Sequence, residues 1–306
     1  MRTLNPSTHF LDRLYHGLAG RDPGRALPSL FEGLQEVRER STPTEWESFA
    51  RAAQEHGLRG LVHEDPMTRR SFEKPRGYAG DAVLLDYIYR DREPDAPTER
   101  GQAVYAYAAA RPASCAVRHR RDLLAHLIDR TADRVGDRAR VLSVACGHLR
   151  EARLSVALQA GRIEELVALD ADPESLAVVG AEPCPAIRPV ERSIGRLLAR
   201  PGDLGRFDFA YSAGLYDYLE DSLARRLTAA LFGLLRPGGR LLICNFLPTV
   251  PDSGYMETYM GWSLIYRDLP AIEALAAGVP DGEVAARRFW SDAFGAIGYL
   301  ELQRAR

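Results

Sequence analysis

Lysine is almost missing from this chain. Lys74 is the only one among 40 basic residues, so arginine carries nearly all the positive charge. A GC-rich coding sequence produces that bias without any functional cause. Cysteine is sparse as well. Cys115, Cys146, Cys184 and Cys244 form no CxxC pair and no spacing to histidine that reads as a zinc site, so no metal centre is expected. Two of them fall in or beside expected strands, where cysteine serves as a small buried apolar residue. No apolar run approaches the ~20 residues of a membrane span, and no charged-then-apolar leader opens the chain. The expectation is a reduced, cytoplasmic setting without a membrane partner. A formal net charge of −2 leaves no basic excess for nucleic acid.

What is present is ordinary for a globular protein: 306 residues, 46% apolar and 27% charged, enough for one large domain or two modest ones. The first part reads helical. Pro43-Thr44-Glu45-Trp46-Glu47 opens a helix with Thr42 or Ser41 as its N-cap. Residues Val104 to Asp133 carry apolar side chains at helical spacing, broken at Pro112, and Asp91 to Pro97 reads as a loop.

Near Gly136 the pattern changes to strands alternating with helices. The strands expected are Val141–Ala145, Leu166–Leu169, Ile187–Val190, Phe207–Tyr211 and Arg240–Phe246. A helix to about Ala160 follows the first, and another spans Ser222 to Leu235. Short apolar strands separated by helices indicate βαβ units and a buried, doubly wound parallel sheet. The tail from Val284 to Gln303 reads as a closing hairpin edge. The domains expected are a helical region, 1–135, and an α/β region, 136–306.

The strongest local signal is Arg140-Val-Leu-Ser-Val-Ala-Cys-Gly147-His-Leu-Arg-Glu151, a strand ending in a small-residue turn that runs into a helix. Backbone N–H groups there can approach a ligand. The next strand ends about twenty residues on at Leu169-Asp170-Ala171-Asp172, where a carboxylate suits two ribose hydroxyls. Gly147 stands alone where a dinucleotide fingerprint has three glycines, so a pyrophosphate-bearing cofactor and a dehydrogenase are disfavoured. A nucleoside cofactor without phosphates fits; an arbitrary βα turn would carry the same residues.

Two further segments extend the signal: Phe207-Asp208-Phe-Ala-Tyr211-Ser-Ala-Gly214-Leu-Tyr216, and the turn Leu234-Leu-Arg-Pro237-Gly238-Gly239 into the next strand. The order and spacing of all four, from Arg140 to Phe246, resemble class I S-adenosylmethionine (SAM)-dependent methyltransferases. That resemblance implies a mostly parallel, seven-stranded Rossmann-like sheet with SAM as cofactor. It implies that Ala145, Cys146 and Gly147 line the methionine and ribose side and that Glu151 supports the loop or the methionine amino group. Asp170 with Ala171 would hold the ribose and Ser193 would lie beside adenine, while Ser212, Gly214 and Tyr216 edge the cofactor.

A narrower resemblance rests on Glu73-Lys-Pro-Arg76-Gly-Tyr78-Ala-Gly-Asp81, on the Ala-Cys-Gly-His-Leu-Arg-Glu loop and on Tyr255-Met-Glu257-Thr-Tyr259-Met-Gly-Trp262 through Tyr266-Arg267-Asp268. These are similar to a bacterial biosynthetic group that includes 3-hydroxy fatty acid methyl ester synthases and natural-product N-methyltransferases. The group is related to enzymes that cyclise SAM to azetidine-2-carboxylate. The resemblance implies methyl transfer to a small metabolite (amine, guanidine or carboxylate), with cyclisation of SAM as the alternative and a non-catalytic SAM-binding module as the outside one. The Lys74 to Asp81 segment reads either as a structural turn or as a lid, with Arg76 on the SAM carboxylate and Tyr78 facing the sulfonium. Tyr78, Asn245, Glu257 and Tyr259 are the candidate catalytic residues. Tyr255, Tyr259, Trp262 and Tyr266 form an aromatic stripe at helical spacing, read as core or as acceptor pocket. His148 invites a general-base role, against the plainer reading of a solvent-facing first helical turn. A monomer or a homodimer fits equally.

Overall fold

The computed structural model describes residues 6–92, 95–136 and 138–306. Fourteen α-helices in this span alternate late in the chain with seven strands. Before the first strand come α1 (Pro6–Ala19), α2 (Leu27–Arg40), α3 (Pro43–Glu55), α4 (Leu58–Val62), α5 (Pro66–Glu73), α6 (Ala82–Tyr89), α7 (Glu99–Ala110) and α8 (Pro112–Val135). The strands are β1 (Ala139–Val144), β2 (Ile163–Asp170), β3 (Ile187–Glu191), β4 (Phe207–Ser212), β5 (Leu235–Phe246), β6 (Val284–Ser291) and β7 (Ile297–Arg304). Between them lie α9 (Val156–Gln159), α10 (Pro173–Gly180), α11 (Ile194–Ala199), α12 (Asp221–Gly233), α13 (Ser253–Tyr259) and α14 (Leu269–Glu273). Part of the expected loop 91–97 falls on residues outside those described. Among the described residues no helix is long and apolar enough to cross a membrane.

The chain divides into two compact units: residues 1–115 with 250–263, and residues 116–249 with 264–306. The change from helices to strands near residue 136 therefore does not coincide with the division. Most of α8 belongs to the second unit, and the segment carrying α13 belongs to the first.

The first unit is helical. Thr42 caps α3 with a full capping box: its hydroxyl accepts from the Glu45 N–H while the Glu45 carboxylate accepts from the Thr42 backbone. Helix α13 lies close on α2, where a Cβ on Gly254 would meet the Leu34 carbonyl carbon at 2.7 Å, so only glycine fits. Tyr255 stacks on Phe31 with ring centroids 3.9 Å apart. Asp252 accepts from Arg111 Nε at 2.7 Å and from the Ala113 N–H at 2.8 Å.

The second unit holds one sheet in the order β3-β2-β1-β4-β5-β7-β6. Strands β1 to β5 run parallel, and β7 is antiparallel to both β5 and β6. This is the mostly parallel seven-stranded sheet expected, with the tail closing it as a hairpin. Because side chains alternate along a strand, β4 and β5 send Ala210, Leu241 and Ile243 to one face. There they join Leu197 of α11, Leu227 of α12 and Ile272 of α14 in a buried core. The opposite face carries Phe209, Tyr211, Arg240 and Cys244.

One expected element differs. The helix read from Gly147 to about Ala160 is a 3-10 turn at Arg150–Arg153 followed by the four-residue α9. Asp129 of α8 accounts for the break: its carboxylate accepts from the Ser155 hydroxyl at 2.6 Å and from the Ala157 N–H at 2.8 Å, starting a new helix at Val156.

Candidate cofactor site at the carboxyl ends of the strands

The candidate site of the second unit forms where β1, β2 and β4 end. Ala145, Gly147 and Leu149 all take left-handed backbone conformations, with φ of 55°, 54° and 52°. For the two residues with a side chain this costs roughly 1–2 kcal/mol each, an outlay that the loop's hydrogen bonds must offset. The Cys146 N–H bonds to Leu169 O at 3.1 Å, and the Gly147 N–H bonds to Asp170 Oδ2 at 2.9 Å. Oδ1 of the same carboxylate accepts from the Asp172 N–H at 3.0 Å. An ionised carboxylate has about four acceptor positions, so Asp170 retains capacity for two more donors, as two ribose hydroxyls require. Ala171 beside it is exposed.

Below the loop the site is buried and polar. Glu151 is 6% exposed and accepts from the Tyr211 hydroxyl at 2.7 Å. Burial drives its carboxyl above the usual range, opposed mainly by the Tyr211 hydrogen bond. Burial likewise raises the Cys146 thiol, with Asp170 and Glu151 adding to the effect, so Cys146 stays protonated. The Ser212 hydroxyl donates to Val144 O at 3.1 Å and locks the ends of β4 and β1 together. Arg120 of α8, 3% exposed, donates through Nη1 to Ala213 O at 2.7 Å. Gly214 follows, open enough that an added Cβ would find only Arg120 Nη2 at 3.8 Å.

Several candidates are occupied elsewhere. The Tyr216 side chain is fully buried and its hydroxyl pairs with Thr228 Oγ1 of α12 at 3.1 Å, so it packs the core and does not edge a cofactor. Asn245 is fully buried, and both ends of its amide are engaged. Its Nδ2 donates to Phe246 O and Ile265 O, and its Oδ1 accepts from Arg267 Nη1 at 2.7 Å. It anchors the chain after β5, and its carbonyl is not available to a ligand amine. Ser193 is exposed and caps α11, accepting from the Arg196 N–H at 3.3 Å. His148 is buried at 6% exposure, so the solvent-facing reading does not hold.

In the first unit, Glu257 accepts from Arg38 Nε and Nη2, both at 2.9 Å, and from Trp46 Nε1 at 2.6 Å. Three of its roughly four acceptor positions go to α2 and α3, which makes it a structural clamp. Tyr259 is fully buried and its hydroxyl has no hydrogen-bond partner. The aromatic stripe ends with α13, because Gly261 at φ 57° turns the chain before Trp262. Arg76 and Tyr78 lie on the turn between α5 and α6, with Arg76 half-buried and Tyr78 36% exposed.

Two buried charged residues were not foreseen. Arg120 was legible in principle: it sits four residues from both Ala116 and Leu124, inside the apolar stripe of α8. Asp217 is 2% exposed, accepts from the Phe246 N–H at 2.6 Å and has its carboxyl pushed up to about 7 by burial.

No family model matches the chain, and no curated protein matches it. Among solved structures it is similar to a possible exported protein from Bordetella parapertussis, with a TM-score of 0.62 and 18% identity over 99% of this chain and 100% of that one. That similarity shows a shared fold. Slighter similarities extend to the methyltransferase SibL in its apo form (TM-score 0.47, 16% identity, 79% of this chain and 74% of that one). They also extend to the N-methyltransferase NodS from Bradyrhizobium japonicum WM9 in complex with S-adenosylhomocysteine (TM-score 0.46, 14% identity, 72% and 98%).

Proposed function

We propose that this chain is a SAM-dependent methyltransferase acting on a small metabolite, an amine, guanidine or carboxylate of a biosynthetic pathway. The observation that carries the reading is the contact of the Gly147 N–H with Asp170 Oδ2 at 2.9 Å, which brings the turn after β1 against the acidic tip of β2. A carboxylate with acceptor positions to spare, beside a turn with too few glycines to wrap a pyrophosphate, suits a nucleoside without phosphates.

When bound, SAM supplies an electrophilic methyl carbon on a sulfonium. The chain's task is then to bind, orient and exclude water, and alignment alone is worth ~7–11 kcal/mol. Asp170 would hold the ribose, the Ala145–Gly147 backbone would lie along the ligand, and Glu151 would offer a buried carboxylate to the methionine ammonium. Of the first unit's candidates, Arg76 and Tyr78 lie at least partly exposed, as a ligand contact needs; Tyr259 is fully buried, and Glu257, half-buried, is held by Arg38 and Trp46.

The test is mass spectrometry of the purified protein incubated with SAM alone and then with a metabolite extract. S-adenosylhomocysteine formed only with extract supports the proposal and yields the acceptor's mass. Methylthioadenosine formed with SAM alone replaces methyl transfer by SAM cyclisation. SAM binding measured by calorimetry without either product leaves a non-catalytic binding module, and absence of binding removes SAM from the account.

A further inference from the structure

At the other end of the sheet lies a cavity. Its volume is about 240 Å³, and its walls include Leu127, Arg130 and Arg134 of α8, Phe209 of β4, Arg240 of β5 and Glu301 of β7. Helix α8 links it to the candidate cofactor site. Arg120 touches the carbonyl after β4, whereas Arg134 donates to Asp208 O and Gly238 O at the strands' beginnings. Fourteen helical residues separate the two arginines, about 21 Å at the helical rise.

The charges in this cavity do not cancel. Asp133 also lines it but is engaged by Arg162 at 2.9 Å. That leaves three guanidinium groups against one carboxylate, Glu301, an excess of two positive charges. Glu301 Oε1 is 3.7 Å from Arg240 Nη1, too far for a hydrogen bond. The Arg240 Nε–H is buried and has no partner. Arg134 is pushed below its ordinary pKa, first by burial and then by the charge of Arg240. A buried donor lacking an acceptor and adjacent uncompensated cations are both relieved by an incoming anion. The walls at Leu127 and Phe209 are apolar, and the volume exceeds what a bare phosphate fills.

We propose that this cavity binds a small organic phosphate monoester, its dianionic head between Arg134 and Arg240 and its organic part against Leu127 and Phe209. A monoester carries close to two negative charges at neutral pH, which matches the excess. Arg130, exposed, adds a third positive charge to the lining.

The experiment is calorimetric titration of the full chain with phenyl phosphate and with inorganic phosphate, at constant ionic strength. Saturable binding is expected for phenyl phosphate, at least tenfold tighter than for inorganic phosphate. It should weaken tenfold or more in Arg240→Gln and several-fold in Arg130→Ala, and saturating S-adenosylhomocysteine should leave it unchanged. Circular dichroism checks the fold of Arg240→Gln, and Arg130→Ala decides the matter if that variant does not fold. Lack of saturable binding, equal affinity for the two phosphates, wild-type affinity in the variants or displacement by S-adenosylhomocysteine would each overturn the proposal.

Discussion

The carboxylate of Asp170 joins the turn after β1 to the turn after β2, accepting from the Gly147 N–H at 2.9 Å and the Asp172 N–H at 3.0 Å. Replacing it with alanine removes both anchors and the acceptors offered to a ribose. Hydrogen bonds to a charged group contribute about 1.5–3 kcal/mol each, so Asp170→Ala should weaken SAM binding by roughly 10- to 100-fold or more. Calorimetric titration with S-adenosylhomocysteine checks this, and affinity within threefold of wild type would count against the site.

The Tyr211 hydroxyl donates to the buried Glu151 carboxylate at 2.7 Å. Tyr211→Phe should cost about 1–3 kcal/mol of stability. The sign with pH follows from burial, which raises the folded-state pKa of Glu151 above its unfolded value. Its favourable contribution is complete below the unfolded pKa and is lost as pH rises through the folded one. Without Tyr211 the folded pKa rises further, so the deficit of the variant should be larger at pH 8 than at pH 5 in urea denaturation. A constant deficit would show that Glu151 does not titrate against that hydroxyl.

Asp217 should titrate with folding. Burial places its carboxyl at about 7, against an ordinary value of 3.8. Its contribution is therefore complete below about pH 4 and declines as pH rises to about 7, by roughly 4 kcal/mol for a shift of that size. Asp217→Asn keeps an oxygen for the Phe246 N–H and carries no charge. It should gain on the wild type progressively between pH 4 and 7 and hold a constant advantage above that. Parallel stability profiles for the two proteins would rule this out.

Glu257 has the position of a structural clamp, receiving three donors from Arg38 and Trp46. Removing one partner of a buried charged pair costs about 3–5 kcal/mol, and some exposure of Arg38 places this one near the lower end. Glu257→Ala should lower the melting temperature strongly, while turnover per folded molecule stays within a few-fold of wild type. A large loss of kcat at unchanged stability would return Glu257 to catalysis.

The strands were legible because each is a short apolar run between turn formers, and the loop at Gly147 because small residues between a strand and an acidic strand tip have few other uses. The failures share a cause. Asn245, Tyr216, Glu257 and Tyr259 have side chains suited to ligand chemistry, but whether such a group faces a ligand depends on partners far away in sequence. Arg267, Thr228, and Arg38 with Trp46 engage the first three in turn, and burial shuts off the fourth. The break before α9 was hidden likewise, since Asp129, which makes it, precedes β1. His148 was read from a helix that the chain does not form there.

The placement of α13 has a consequence for the order of assembly. Glu257 reaches back 219 residues to Arg38, and the Gly254 N–H reaches back the same distance to Gln35. In a chain emerging from the ribosome, helices α1 to α7 of the first unit precede every strand of the sheet. Their groove on α2 nevertheless stays unfilled until residues 250–263 have followed β1 through β5 out of the exit tunnel. The first unit is thus completed late, with apolar side chains such as Phe31 waiting for Tyr255. Long-range closure of this kind slows folding and prolongs exposure of sticky surface. Truncation just before Val250 would therefore damage the amino-terminal helices as much as the carboxyl-terminal strands.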